Sequence, residues 1–274
     1  MFLPTFRNLF AALSVATLLP LSSAHAAVFS DDFTGSPDAA WTTDRYEPNG
    51  FATVSFDGGD RLQISISEAQ GAANRGGQSA AFYNTQGRSV AVGSIPEWSV
   101  SADLFVSSDM VSGNNLRRTD LWARTGDVGS EPGASYPIIG LRRFDPADAF
   151  NAAASNISSA WRVWDGDVVG GWVNLAAAVD EGWNTLAMSG NSSEINFFLN
   201  GNLVYTDSTI VPAVSELTNV YLQGYNFNQV GSGQDYVAHW DNVVVNAVPE
   251  PASLALAGAA ALGLFVVRRR NAKA

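Results

Sequence analysis

Along the middle of the chain apolar and polar residues alternate with a period of two, the repeat of a strand with one face buried. Arg61-Leu62-Gln63-Ile64-Ser65-Ile66-Ser67 is the clearest run, with leucine and the isoleucines on one side. Comparable runs span Trp98 to Val106, Thr119 to Arg124, Tyr136 to Arg142 and Trp161 to Trp164, then Trp183 to Ser189, Glu194 to Leu199, Val220 to Tyr225 and Val237 to Val245. Turn formers separate them at Asp57-Gly58-Gly59-Asp60, Asp165-Gly166-Asp167 and Asn200-Gly201. The last pair suits a type I′ turn between Ile195–Leu199 and Leu203-Val204-Tyr205, which predicts a β-hairpin. No helical period of ten or more residues appears between the termini. Short strands spaced by turns predict an all-β, two-sheet antiparallel sandwich of jelly-roll type. No repeat of 20–50 residues points to a propeller or solenoid. Ala147 to Ser159, rich in alanine, serine and asparagine, reads as a surface loop.

Both ends break this pattern. Arg7 precedes an apolar stretch from Leu9 to Leu21, and Ala24-His25-Ala26 has the small-x-small form of a leader cleavage site. Residues 1–26 are therefore expected to be a signal peptide. At the other end Val248-Pro249-Glu250-Pro251 is followed by an apolar run from Ala252 to Val267 and by Arg268-Arg269-Arg270. As a transmembrane helix that run is roughly 24 Å long, short of the roughly 30 Å hydrocarbon core. Local thinning of the bilayer and snorkelling arginines accommodate the difference. The arginines belong on the cytoplasmic side, which puts everything before Pro249 across the membrane.

Motif, span and basic cluster, in that order, resemble the PEP-CTERM sorting signal. The resemblance implies a Gram-negative bacterium that makes exopolysaccharide, with the exosortase, a cysteine transpeptidase-like membrane enzyme, cutting near Pro249-Glu250-Pro251 and releasing the body to the cell surface or matrix. The expected organisation is then a leader at 1–26, an ectodomain at 27–247 and a sorting tail at 248–274, anchored in the inner membrane until processed.

Between Val28 and Val248 there are 10 arginines, no lysine and 25 acidic residues, a formal charge of −15. Such a field repels nucleic acid and anionic lipid and favours cations or neutral sugars. The chain has no cysteine although it is exported, so the fold stands on its core and not on disulfides. One domain of about 220 residues buries enough surface to do so.

Gly182-Trp183-Asn184-Thr185-Leu186-Ala187-Met188, followed by Ile195-Asn196-Phe197-Phe198-Leu199-Asn200-Gly201-Asn202-Leu203-Val204-Tyr205, is similar to the laminin-G and concanavalin A-like pattern. Phe29-Ser30-Asp31-Asp32-Phe33 and His239-Trp240-Asp241-Asn242-Val243-Val244-Val245 resemble the first and last strands of such sandwiches, which lie side by side. The resemblance implies the fold and leaves function open, because lectins, hydrolases, receptors and scaffolds share it.

Catalytic chemistry has a weak signature. Laminarinase-like enzymes of this fold carry Glu, an apolar residue, Asp and a second Glu on one strand, so that acid and base share a face. Glu194-Ile195-Asn196 begins that way, but Asn196 replaces the middle aspartate and Phe198-Leu199 stand where the second glutamate belongs. There is no Gly-x-Ser-x-Gly elbow, and His239 is the one histidine outside the leader. The expectation is that no catalytic residues are present and that the domain is not an enzyme, with Asp165 and Asp167 kept as an unrecognised acid pair. Calcium is the ligand the residues suggest, at Asp31, Asp32, Asp241 and Asn242, if the terminal strands pair; strand-end aspartates that satisfy turn amides are the alternative. Asp165 and Asp167 are a weaker metal candidate beside a plain Asp-Gly turn. Sugars dock on exposed aromatic faces, so the tryptophans of the middle region, Trp122, Trp161, Trp164 and Trp172, are candidate glycan contacts, with Arg142, Arg143 or Arg162 alongside. Trp161 and Trp164 must face opposite ways in a strand. The functional expectation is a non-enzymatic module contacting extracellular polysaccharide; an adhesive or structural biofilm-matrix protein and a divergent polysaccharide hydrolase are the alternatives.

Overall fold

The computed structural model describes residues 27–67, 85–112, 117–126, 134–143, 159–168, 171–210, 215–225 and 235–248. The expected leader and the transmembrane run lie outside them, as does nearly all of the 147–159 stretch. Among the described residues no helix is long and apolar enough to cross a membrane.

In chain order the strands are β1 (Ala27–Asp31), β2 (Thr42–Thr43), β3 (Gly50–Phe56), β4 (Gly59–Ile66), β5 (Thr85–Ile95) and β6 (Trp98–Val106). A one-turn helix, α1 (Ser108–Val111), leads to β7 (Arg117–Gly126), β8 (Ala134–Ser135), β9 (Ile138–Arg143), β10 (Ser159–Trp164) and β11 (Trp172–Asn174). The chain ends with β12 (Gly182–Gly190), β13 (Ile195–Leu199), β14 (Asn202–Asp207), β15 (Leu217–Tyr225) and β16 (Tyr236–Ala247). They form two antiparallel sheets. Sheet A runs β14-β13-β12-β6-β16-β4-β3, with β1 also on β16; sheet B runs β11-β10-β9-β7-β15-β5-β2, with β8 on β7. The expected all-β jelly-roll sandwich is the observed fold.

Alternation builds the interface. In β6, Trp98, Val100, Ala102, Leu104 and Val106 are buried while Ser99, Ser101, Asp103 and Phe105 look outward. Leu62, Ile64 and Ile66 of β4, Leu186 and Met188 of β12, and Leu121, Val163 and Leu222 of sheet B complete one core with them. Each deeply buried tryptophan satisfies its indole N–H: Trp98 on the Ser215 carbonyl (3.0 Å), Trp161 on the Ala178 carbonyl (3.0 Å) and Trp240 on Thr119 Oγ1 (3.2 Å). Without these acceptors burial would strand a donor, at a cost of about 1–3 kcal/mol each.

Hairpins fix the register as the sequence predicts. Asn200 (φ 52°) and Gly201 (φ 77°) both lie in the left-handed region, as a type I′ turn requires. Asp57 (φ 47°) and Gly58 (φ 78°) do the same between β3 and β4. The terminal strands pair as expected, Asp31 opposite Val243 and Phe29 opposite Val245. The central strand β16 serves β4 with its first half and β1 with its second. Between the halves a bulge puts Asn242 at φ 50°.

Candidate functional site

The face of sheet B turned away from the core is not the polar, wet surface that an outer face normally presents. Every residue of β7 is buried, on both sides of the strand. Thr119, Leu121 and Ala123 point into the sandwich; Arg118, Asp120, Trp122 and Arg124 therefore occupy the outer face. Strand register lays two rows across this face. One reads Arg162, Gly140, Asp120, Gln223 and Gly87; the next reads Trp164, Ile138, Trp122, Tyr221 and Ser89. A charged row thus lies directly beside an aromatic one.

Asp120 is the centre of the charged row and is 1% exposed. Its Oδ2 accepts from Arg118 Nε (2.6 Å) and, at 3.3 Å, from Trp122 Nε1. Its Oδ1 is buried with no hydrogen-bond partner among the described residues. Gly140 makes room for this carboxylate: a Cβ there would stand 2.2 Å from Asp120 Oδ1. On the other side Gln223 Nε2 donates to Asp44 Oδ2 (2.7 Å), and Asp44 also pairs with Arg45. The Arg45 guanidinium lies over Trp122 at 5.3 Å and over Tyr136 at 5.7 Å. Burial, with the Asp44 charge adding to it, raises the Tyr221 hydroxyl well above the usual phenol range, so it stays a neutral donor and acceptor.

The aromatic row ends in Trp164 and Trp172, edge to face at 5.1 Å and 71°, both half-buried. Arg162 stacks over Trp172 at 3.5 Å and Arg118 lies over it at 4.7 Å. Gly171 (φ 72°) packs so closely on the Trp164 ring that a Cβ would come within 2.3 Å of it. These contacts hold both rings in fixed orientations.

Of the four tryptophans singled out from sequence, Trp122, Trp164 and Trp172 share this outer face, whereas Trp161 is in the core at 0% exposure. The three-residue spacing forces that split. Arg142 and Arg162 join the outer face; Arg143 points the other way and donates to the Val111 carbonyl (2.7 Å). Sequence reading missed Asp120, Gln223 and Asp44. Asp120 was visible in principle: Arg118-Thr119-Asp120-Leu121-Trp122-Ala123-Arg124 alternates charged or aromatic with small or apolar residues, and only a second buried face explains tryptophan in the charged phase.

The residues expected to hold calcium meet at the β16 joint but differ in what they have to offer. Asp31 is spent within the chain: Oδ1 accepts from Phe33 N (2.9 Å), and Oδ2 from Asp38 N (2.9 Å) and Trp41 Nε1 (2.9 Å). Asp32 accepts from Thr34 N (3.0 Å), which lowers its carboxyl below the usual range. Asp241 pairs with Arg61 (3.0 Å) through Oδ2, while its Oδ1 is buried with no partner among the described residues. Burial raises the Asp241 carboxyl, and the charges of Asp103 and Asp32 add to the effect. Asn242 donates to Asp103 Oδ2 (2.9 Å). A second acidic group is more compact: Asp165, Asp167 and Asp207 bring one carboxylate oxygen each within 4.8 Å of one another. Asp165 also accepts from Tyr205 Oη (2.6 Å), which pushes the Tyr205 hydroxyl up to about 12.

The tail is matched by the family model of the PEP-CTERM protein-sorting motif over residues 247–270. That motif implies export and sorting by an exosortase. No curated protein matches the sequence. Among solved structures the chain is similar to a glycoside hydrolase family 16 endo-glucanase from Bacteroides ovatus, at 11% identity and TM-score 0.50, covering 80% of this chain and 99% of that one. It is similar to SCLam, a non-specific endo-beta-1,3(4)-glucanase of the same hydrolase family, at 12% identity and TM-score 0.50, covering 81% and 91%. A sialidase also matches, at 13% identity and TM-score 0.50; the chain covers 84% of itself but spans only 19% of the sialidase. These likenesses are of fold. They overturn the expectation of a domain that is not an enzyme, because the whole sandwich is one that endo-glucanases use over nearly their full length. The expectation rested on absent sequence signatures: the incomplete Glu194–Leu199 motif at the start of β13 in sheet A, the missing Gly-x-Ser-x-Gly elbow and a single histidine outside the leader. Buried Asp120 and the Asp165, Asp167, Asp207 group come from elsewhere in the chain.

Proposed function

We propose that this is a cell-surface or matrix protein that meets extracellular polysaccharide through the outer face of sheet B. The boundaries taken for it are a removed leader at 1–26, the sandwich at 27–247 and the exosortase tail at 248–274 with its transmembrane helix. One observation carries the reading: a row of fixed aromatic rings lies beside a row of buried charged groups on a single sheet face. A pyranose has an apolar face for the half-buried rings of Trp164, Trp172 and Tyr136 and hydroxyls for the half-buried Asp44 and Arg45. The acidic ectodomain favours a neutral glycan, and the endo-glucanase neighbours make β-glucan the class to try first.

Hydrolysis at this face is the second reading, favoured by the unpartnered Oδ1 of Asp120. Glycoside hydrolysis needs a second acid roughly 5–5.5 Å away for retention or 6.5–9.5 Å for inversion. Asp44, hydrogen-bonded to Gln223 of the same row, is the second acid this reading would use. Incubating residues 27–248 with mixed-linkage β-glucan, and following both retention on the polymer and release of reducing ends, tests both readings. Retention alone supports contact, new reducing ends support hydrolysis, and neither removes the face from the account.

Calcium is proposed at the β16 joint, with Asp32 and Asp241 supplying carboxylate oxygens. The orphaned Asp241 Oδ1 fits a hard cation, and Asp31, already saturated, would position the loop without ligating.

A further inference from the structure

Sheet A carries a cleft on its outer face, at the end where β16 begins. Its volume is about 680 Å³, within the range of small-ligand sites. Phe56, Phe105, Val237 and His239 line it together with Asp109, Arg117 and Glu181. Phe56 stacks on His239 at 3.7 Å and 6°, and Phe105 meets Phe56 edge to face at 4.9 Å. Elsewhere the outward positions of β6 are Ser99, Ser101 and Asp103, as solvent demands. Val237 remains 41% exposed in the cleft. Aromatic and aliphatic surface clustered at one cleft marks a contact site.

Topology gives the cleft a direction. β16 runs from Tyr236, in the cleft, to Ala247, and Val248 N–H is bound to the Glu97 carbonyl (2.7 Å) immediately before the sorting motif. Twelve residues of strand span about 40 Å. Ala27 lies opposite Asn246, so both processed ends leave the sandwich at the tail end. The cleft thus lies at the end of the sandwich opposite the one where both termini of the described chain leave it.

We propose that this cleft is a second glycan site, distinct from the outer face of sheet B and taking a neutral polysaccharide. Asp109 is engaged by Ser107 and by Arg117, which lines the same cleft; a formal charge of −15 between Val28 and Val248 disfavours polyanions, while a neutral sugar offers an apolar face to Phe105 and Val237 and hydroxyls to Glu181. With two sites on opposite faces, one domain bridges two polymer chains.

The test uses residues 27–248, which contain both complete sheets and their shared core, with mixed-linkage β-glucan as the probe. Wild type, Val237→Asp, Glu181→Ala and Trp164→Ala are compared for retention on the polymer and for the turbidity that bridging produces, with melting temperatures confirming folding. Val237→Asp should abolish turbidity and lower retention about tenfold, and Glu181→Ala should weaken both, each in a folded protein. If Trp164→Ala alone weakens retention, the cleft proposal is overturned while the sheet B reading stands. If Val237→Asp alone does so, the cleft stands and the sheet B reading fails. Absence of retention in wild type overturns the cleft as a site for this glycan class.

Discussion

Asp120 and Gly140 face one another across β7 and β9, and the carboxylate of the first occupies the space a side chain on the second would fill. Gly140→Ala would put a methyl 2.2 Å from Asp120 Oδ1 and 2.6 Å from the Thr119 carbonyl, so backbone as well as side chain must move. A loss of about 1–3 kcal/mol is expected, the cost of overpacking. Urea midpoints of the two proteins measure it; an unchanged midpoint would mean that the carboxylate is not fixed there.

Trp161 and Trp164, three residues apart, should behave oppositely. Trp161→Ala removes a core side chain at 0% exposure and should cost about 3–5 kcal/mol. Trp164→Ala, on the outer face and half-buried, should cost distinctly less while weakening contact with glucan. Equal destabilisation by chemical denaturation would contradict the assignment of faces.

His239 should make the fold acid-sensitive. Burial against Phe56 holds its imidazole below the usual range, and Nε2–H donates to Gln63 Oε1 (3.2 Å). The unfolded chain therefore binds the proton more readily than the folded one below about pH 6.5, so this contribution is present above that pH and is lost as pH falls toward the lowered native value. Replacing His239 by Gln should flatten the stability profile between pH 7 and 5. A profile that keeps its slope in the variant would assign the sensitivity to other groups.

Calcium should raise the melting temperature of residues 27–248, and chelator should reverse it. Asp241→Asn should remove the response if the ion sits at the β16 joint; Asp167→Asn should remove it if the ion sits with Asp165 and Asp207. No response in wild type would leave neither cluster a calcium site.

Much of the fold was legible because alternation is local. Arg61–Ser67 and Trp98–Val106 declare a buried face, Asn200-Gly201 declares its turn, and the similarity of the two ends foretold the β1–β16 pairing. β5 was not legible: Thr85-Gln86-Gly87-Arg88-Ser89 carries little apolar contrast, and its burial comes from neighbours distant in sequence. The outer face of sheet B was hidden for a related reason. Arg118 and Asp120 read as solvent-facing residues; Trp122 in the same phase is the one local sign that the face is buried, and nothing local says that Gly140 and Gln223 flank it. Tryptophan spacing did show that Trp161 and Trp164 part company, but register with β9 was needed to say which one meets the core.

Oxidative footprinting of residues 27–248, with tryptophan modification read by mass spectrometry in the presence and absence of mixed-linkage β-glucan, tests the sheet B assignment most directly. Saturating glucan should protect Trp164 and Trp172 several-fold and leave core Trp161 unmodified in both conditions. Modification of Trp164 and Trp172 at the same rate with and without glucan would contradict the assignment of this face to polysaccharide.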